Sequence, residues 1–116
     1  MQTLNFSPAR MRPIALFDAA AASNIRIGGG SGECHVYSLR FDAGGSIGEH
    51  PAGYGQLFLV VEGSGWVAGS DGARVNLTAG QGAFISPGER HSKGSDTGMT
   101  VIMVQAETID ADADSL

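Results

Sequence analysis

Two histidines in this chain stand where their chemistry can be used. His50 closes a glycine-rich approach, Gly44-Gly-Ser-Ile-Gly-Glu-His, and His91 follows the Pro87-Gly turn that ends a second apolar stretch. Imidazole exchanges protons near neutral pH and is also a common nitrogen ligand of metals. Two of them delivered by separate strands point to one pocket. Gln56, at the head of the strongest run of β-formers (residues 56–61), adds an amide able to donate or accept. In residues 34–41 the side chains alternate, with His35, Tyr37, Leu39 and Phe41 on one face. Leu39 and Phe41 mark that face as inward, so His35 and Tyr37 are candidates for moving a proton in the same interior. Tyr54, Phe58 and Trp66 join Tyr37 as a candidate aromatic wall for a small organic ligand.

The elements that must hold these residues are short strands. Strand patterns fall at residues 25–27, 34–41, 46–50, 56–61, 66–68, 74–77, 83–86 and 100–105. Glycine-rich turns separate them at 28–32, 42–45, 53–55, 62–65 and 70–72. The 18 glycines are scattered through the chain without a fixed period, as turns between many strands would be. The spacing predicts an all-β, single-domain antiparallel barrel or sandwich, which removes most exposed edges. Before the barrel, residues 1–35 read as an arm carrying Leu4 and Phe6, a short helix over 13–22 and the first strands. The helix rests on the Ala19–22 run, with Pro13 at its start and Asn24 at its end. Residues 36–105 form the barrel, and the acidic residues 106–116 are expected to be a disordered tail.

Composition narrows the function. At 116 residues, 42% hydrophobic and 16% charged, the chain can bury one core and has the profile of a globular domain. A net charge of −5 without a Lys/Arg cluster gives a phosphate backbone nothing to bind, so nucleic acid is not an expected partner. The longest apolar run, residues 57–61, is far short of a membrane helix, and no signal-peptide core stands at the N-terminus. A lone cysteine, Cys34, cannot close an internal disulfide. The expectation is a soluble, cytoplasmic protein with no membrane partner.

With these segments placed, the chain resembles the cupin family of small jelly-roll barrels. The first family segment reads Gly, five residues, His, one residue, His, three or four residues, Glu, six residues, Gly. Gly44, His50 and Gly63 fall on that spacing, with Ala52 at the second histidine position and Gln56 at the glutamate. The second segment reads Gly, five residues, Pro, one residue, Gly, two residues, His, three residues, Asn. Gly80, Gly88 and His91 match, Ser86 stands at the proline position with Pro87 one place later, and Ser95 replaces the asparagine. The resemblance implies a cupin-type jelly roll and a divalent metal (Zn, Fe, Ni or Mn) held by His50, Gln56 and His91. An amide in place of a carboxylate and an alanine in place of a histidine weaken that set, so the metal is weakly bound or absent.

Two functions follow from this reading. One is a metal-assisted enzyme acting on a small oxygen-bearing organic compound, of dioxygenase, isomerase or lyase type, with Tyr37 or His35 moving the proton. The other is a barrel that captures a small molecule without turnover. The apolar arm and the continuously hydrophobic strand at 101–104 also lead us to expect a homodimer, with the arms exchanged.

Overall fold

The computed structural model describes residues 1–116, and ten strands carry the fold. They are β1 (Gln2–Asn5), β2 (Arg12–Pro13), β3 (Ser23–Asn24), β4 (Gly28–Phe41), β5 (Ser46–Pro51), β6 (Gly55–Gly69), β7 (Arg74–Thr78), β8 (Gln81–Ile85), β9 (Arg90–Gly94) and β10 (Met99–Ala111). All pairings are antiparallel. One sheet runs β1-β8-β6-β10-β4, and the second is built from β5, β9, the far half of β6, and β7. The result is the expected all-β jelly-roll barrel.

β6 belongs to both sheets. Its first half, through Gly63, pairs with β8 and β10, and from Ser64 onward it pairs with β7 and β9. Residues 62–65, expected as a turn between two strands, are therefore the bend of one strand. Gly63 makes the bend, with φ of 76° in the left-handed region, and any Cβ there would strike the Gly98 carbonyl oxygen. Beyond the bend, Phe58 and Val60 from one sheet and Val67 and Leu77 from the other meet in a core with Phe41, Ala83, Met99 and Val101. The opposite face of the first sheet is covered too. Leu57, Leu59, Ala106 and Ile109 pack there beneath Leu4, with Phe6, Ile25 and Ile27 against them.

Four local expectations are corrected. Residues 28–32 are strand rather than turn, because Gly28 and Gly30 let β4 lie where a side chain would collide with the Asp110 and Thr108 carbonyls of β10. Residues 25–27 have no strand pairing, although Ile25 and Ile27 pack under the sheet. The tail is strand through Ala111. Ile109 and Ala113 are buried, while the alternating aspartates face out and Asp112 and Asp114 pair with Arg26 and Arg10. No helix forms over 13–22. Phe17, Asp18 and Ala21 take left-handed φ values, and Ile14 N–H bonds the Ala22 carbonyl beside the β2–β3 pair. A helix this short needs an apolar face to pack, and here Phe17 is 93% exposed and Leu16 is exposed beside it.

The N-terminal arm pairs with β8 of its own chain and buries Leu4 completely. Leu4→Ala should therefore lower stability by about 3 kcal/mol, as a full core truncation does. Leu16→Ala in the exposed turn should change it by less than about 0.5 kcal/mol. Urea denaturation of the two variants checks this, and equal midpoints would mean that the arm is not docked.

Candidate functional site

The register of the two sheets decides which side chains meet. Directly opposed residues on antiparallel strands point to the same face. On the first sheet, one inward row is His35, Gln105 and Gln56, and the next is Tyr37, Met103 and Phe58. On the second, His50 lies opposite His91, and Ile47 lies opposite Lys93. His91 and Lys93 are two residues apart on β9 and so share a face. The interior between the rows thus receives His91 and Lys93 from one side and Gln56, Phe58 and Met103 from the other.

His50 and His91 come together as expected, their ring centroids 4.5 Å apart. Each ring is oriented by its own backbone. Nδ1–H of His50 donates to the Gly48 carbonyl at 2.8 Å, and Nδ1–H of His91 donates to the Glu89 carbonyl at 3.1 Å. Nε2 of each neutral ring then carries the lone pair. His91 is fully buried, and its Nε2 has no hydrogen-bond partner within the chain. Burial lowers its pKa. The Glu89 carbonyl bond works against that, and the charges of Lys93 and His50 add to the lowering. The strand carrying His91 is entered through the Pro87-Gly turn, which Glu89 fastens. Its carboxylate accepts from the Ser86 amide and pairs with the N-terminal ammonium. Burial raises the Glu89 pKa, but those two bonds outweigh it and hold the acid below its ordinary value. Ser95, at the family's asparagine position, is also structural: it donates to the Ser64 carbonyl and accepts from the Gly98 amide.

Lys93 is the residue that motif spacing did not reveal. It is the chain's one lysine and is only 2% exposed. Its Nζ donates to Gln56 Oε1 at 2.6 Å, lies 3.8 Å from Met103 Sδ and sits 4.7 Å above the Phe58 ring. No carboxylate pairs with it. Desolvation brings its pKa down to about 8. The signal available in the sequence was the period of two from His91.

This lysine bears on the expected metal set. Two imidazoles with free Nε2 atoms suit a divalent ion, but the third donor, Gln56 Oε1, already accepts from an ammonium. No cluster of three or more His, Cys, Asp or Glu side chains forms. A cation beside the site also opposes a dication. As they stand, His50, Gln56 and His91 do not fit the metal, and Ala52 adds no donor.

The remaining predicted residues separate. Phe58 lines the interior beneath Lys93. Trp66 lies on the far face of the second sheet, under the Arg74 guanidinium at 3.8 Å and against Gly94, so it lines an outer cleft with Asn76 and Thr97 rather than the interior that holds Lys93. Strand alternation explains this, since Val67, its neighbour, is the one that enters the core. His35 and Tyr37 are on the inward face but exposed, because β4 pairs only with β10 and β5 only with β9, which leaves the barrel open between those two edges. His35 stacks on Tyr54 at this mouth, and the Tyr54 hydroxyl donates to Glu33, which raises the phenol's pKa. A separate apolar groove of about 480 Å³ lies on the outer side of the first sheet, lined by Ile27, Cys34, Leu57, Val104 and Ile109.

Residues 35–112 match the AraC-like ligand binding domain family, a cupin-type family. The chain belongs to it. The AraC-like barrel is also 33% identical over 78 residues to an (R)-mandelonitrile lyase from Granulicella tundricola, covering 66% of this chain and 59% of that protein. It thus spans about three-fifths of that relative's length. Among solved structures, it is similar to an RmlC-like cupin from Shewanella frigidimarina (31% identity, TM-score 0.60, 65% of this chain and 67% of that one). A cupin-like protein from Thermotoga maritima has the same fold at 20% identity (TM-score 0.61, 70% of this chain and 65% of that one).

Burying Lys93 has a measurable consequence. The unfolded chain keeps the lysine proton up to about 10.5 and the folded chain releases it near 8, so the unfolded state binds more protons between those values. Stability should therefore rise through that window by about 3 kcal/mol, the size of the shift converted at 1.36 kcal/mol per unit. Lys93→Met should remove the rise. Urea denaturation of both proteins at neutral pH and near about pH 10 measures it, and identical slopes with pH would show that the amine is solvated.

Proposed function

We propose that this cupin domain binds a small oxygen-bearing organic compound at the barrel mouth and moves a proton on it with His91. The observation that carries the reading is the buried, unpartnered Nε2 of His91 beside a lysine whose ammonium has no counter-charge. That Nε2 is covered in the unliganded chain, so a ligand entering between β4 and β5 must displace the side chains over it; its hydroxyl would then donate to Nε2, and the oxygen, as it becomes negative, would be stabilised by the Lys93 charge. His35, Tyr37 and Ile47 frame the entrance. His91, rather than Tyr37 or His35, takes the proton in this reading, because its buried Nε2 has no partner within the chain while those two side chains are exposed. The family's description as a ligand-binding domain supports a small-molecule role. The Granulicella relative's name supports lyase chemistry on a compound that carries a hydroxyl beside its nitrile.

Capture without turnover is the alternative, and assay separates the two. Purified protein is given small hydroxy and cyanohydrin compounds, mandelonitrile among them, and release of carbonyl product is followed by absorbance. His91→Ala should lower the rate by about a hundredfold or more. Binding seen by NMR with no rate above background would make the domain a binder.

A metal-assisted version draws on the paired imidazoles alone. Because Lys93 holds Gln56, Lys93→Met should tighten Zn²⁺ or Mn²⁺ binding over wild type in titration calorimetry. Tight wild-type binding that is lost in His50→Ala and His91→Ala would favour the metal instead.

The reading includes a homodimer, for which the exposed Val36 and Val61 and the open edge of β4 supply surface. Leu4 is buried within its own chain, so face-to-face packing is favoured over exchanged arms.

A further inference from the structure

From the apolar groove on the outer side of the first sheet and the apolar tip of the β2–β3 hairpin, we infer that two copies of this chain clasp each other reciprocally. Leu16 and Phe17 of each copy seat in the groove of the other. The inference rests on the homodimer of the preceding reading and names its contact. The hairpin is ordered by its own hydrogen bonds: Arg12 and Pro13 pair with Asn24 and Ser23, Ile14 N–H donates to the Ala22 carbonyl, and Ala19 N–H donates to the Leu16 carbonyl. At its tip Phe17 and Asp18 hold left-handed φ values of 59° and 53°, uncommon for residues with side chains. The outcome is a phenyl ring 93% exposed beside a leucine 65% exposed. Single apolar residues scattered on a surface need no partner, but an aromatic and an aliphatic side chain presented together on an ordered turn have the composition of an interface anchor.

The receiving groove adjoins the hairpin's base. Ile25 and Arg26 line it, and they also line the neighbouring cleft that Arg12 and Asn24 of the hairpin help to form. A two-fold contact needs that arrangement, because one patch must meet its own copy. Val36, 63% exposed, extends the same face beyond the groove, since the register sets it opposite Val104. Charge selects a second copy as the occupant. The groove's one charged residue is Arg26, which Asp112 neutralises, so a chain of net charge −5 can be apposed to itself here without repulsion. Asp18, next to Phe17, has no partner in its own chain, and Arg12 alone among the arginines has no carboxylate, hydrogen bond or ring against it. Seating Phe17 in the groove carries Asp18 of one copy toward Arg12 of the other. The area is sufficient as well. Phe17 brings roughly 200 Å², and because each copy gives a tip and a groove, Leu16 and Val36 raise the total to about 600–800 Å² per copy, close to a standard interface.

Sedimentation equilibrium of the full chain tests this. Wild type should sediment at twice the chain mass when concentrated and dissociate on dilution. Phe17→Ser should raise the dimer Kd by about thirtyfold or more. Because Phe17 is almost wholly exposed in its own chain, the same substitution should leave the thermal midpoint of dilute protein unchanged. Arg12→Asp and Asp18→Arg should each weaken the dimer by about threefold or more, and the two combined in one chain should restore it. Cys34, the single cysteine, lines the groove and reports its occupancy: a maleimide should label concentrated wild type more slowly than concentrated Phe17→Ser. An unchanged Kd in Phe17→Ser overturns the inference and leaves the homodimer to another face. Wild type that is monomeric at every concentration overturns the homodimer as well. A monomer whose Cys34 is shielded by a co-purifying apolar compound, seen by native mass spectrometry, gives the groove to a ligand and also overturns the inference.

Discussion

The bend of β6 at Gly63 is the constraint on which the rest depends. A single strand supplies Gln56 and Phe58 to one sheet and pairs, past the bend, with the strand that carries His91 and Lys93. The left-handed backbone and the close approach of the Gly98 carbonyl leave no room for a side chain at that point. Without the bend the strand would continue in one sheet, and the interior rows that form the site would not face each other. The same bend explains why a glycine-rich stretch that looks like a hairpin turn is a corner of the barrel.

Across that interior the chemistry is set by a lack of opposite charge. Two imidazoles, an amide, a thioether and an ammonium converge with no carboxylate among them. Each imidazole is fixed through Nδ1 by a carbonyl two residues upstream, so its orientation follows from local backbone. Lys93 is fixed by the opposite sheet. A cation thus already occupies the amide that a metal would need, and the residues that look like a weakened metal set put an unpartnered imidazole nitrogen on the same strand face as a buried amine. Desolvation supplies the electrostatics: it lowers the affinity of both His91 and Lys93 for protons, and the Lys93 charge lowers that of His91 further.

Much of this could be read from the chain alone. Alternation in 34–41 placed His35 and Tyr37 on the inward face, where the register puts them, and the motif spacing brought His50 and His91 together. The acidic tail was legible in principle, since Ile109, Ala111 and Ala113 alternate with aspartates, but its charge and small residues read more readily as disorder. The Ala19–22 run favoured helix, and only the absence of a surface to pack against decided otherwise. Trp66 was an aromatic near the right strands, yet one residue of register separates it from the core.

Period and turn chemistry in the sequence therefore determined the all-β barrel, and the resemblance of its two motif segments pointed to the histidine pair and the family, because these depend on contacts near in sequence or on spacing along a strand. Burial and partnership were decided by tertiary structure. Whether β4 is covered or open depends on which edges find a partner, and that depends on pairings far apart in the chain. Whether Lys93 is a surface charge or an interior amine depends on what the opposite sheet presents to it, here Gln56 and Phe58, thirty-seven and thirty-five residues earlier. No local pattern encodes that meeting, since it exists only once the two sheets close on each other.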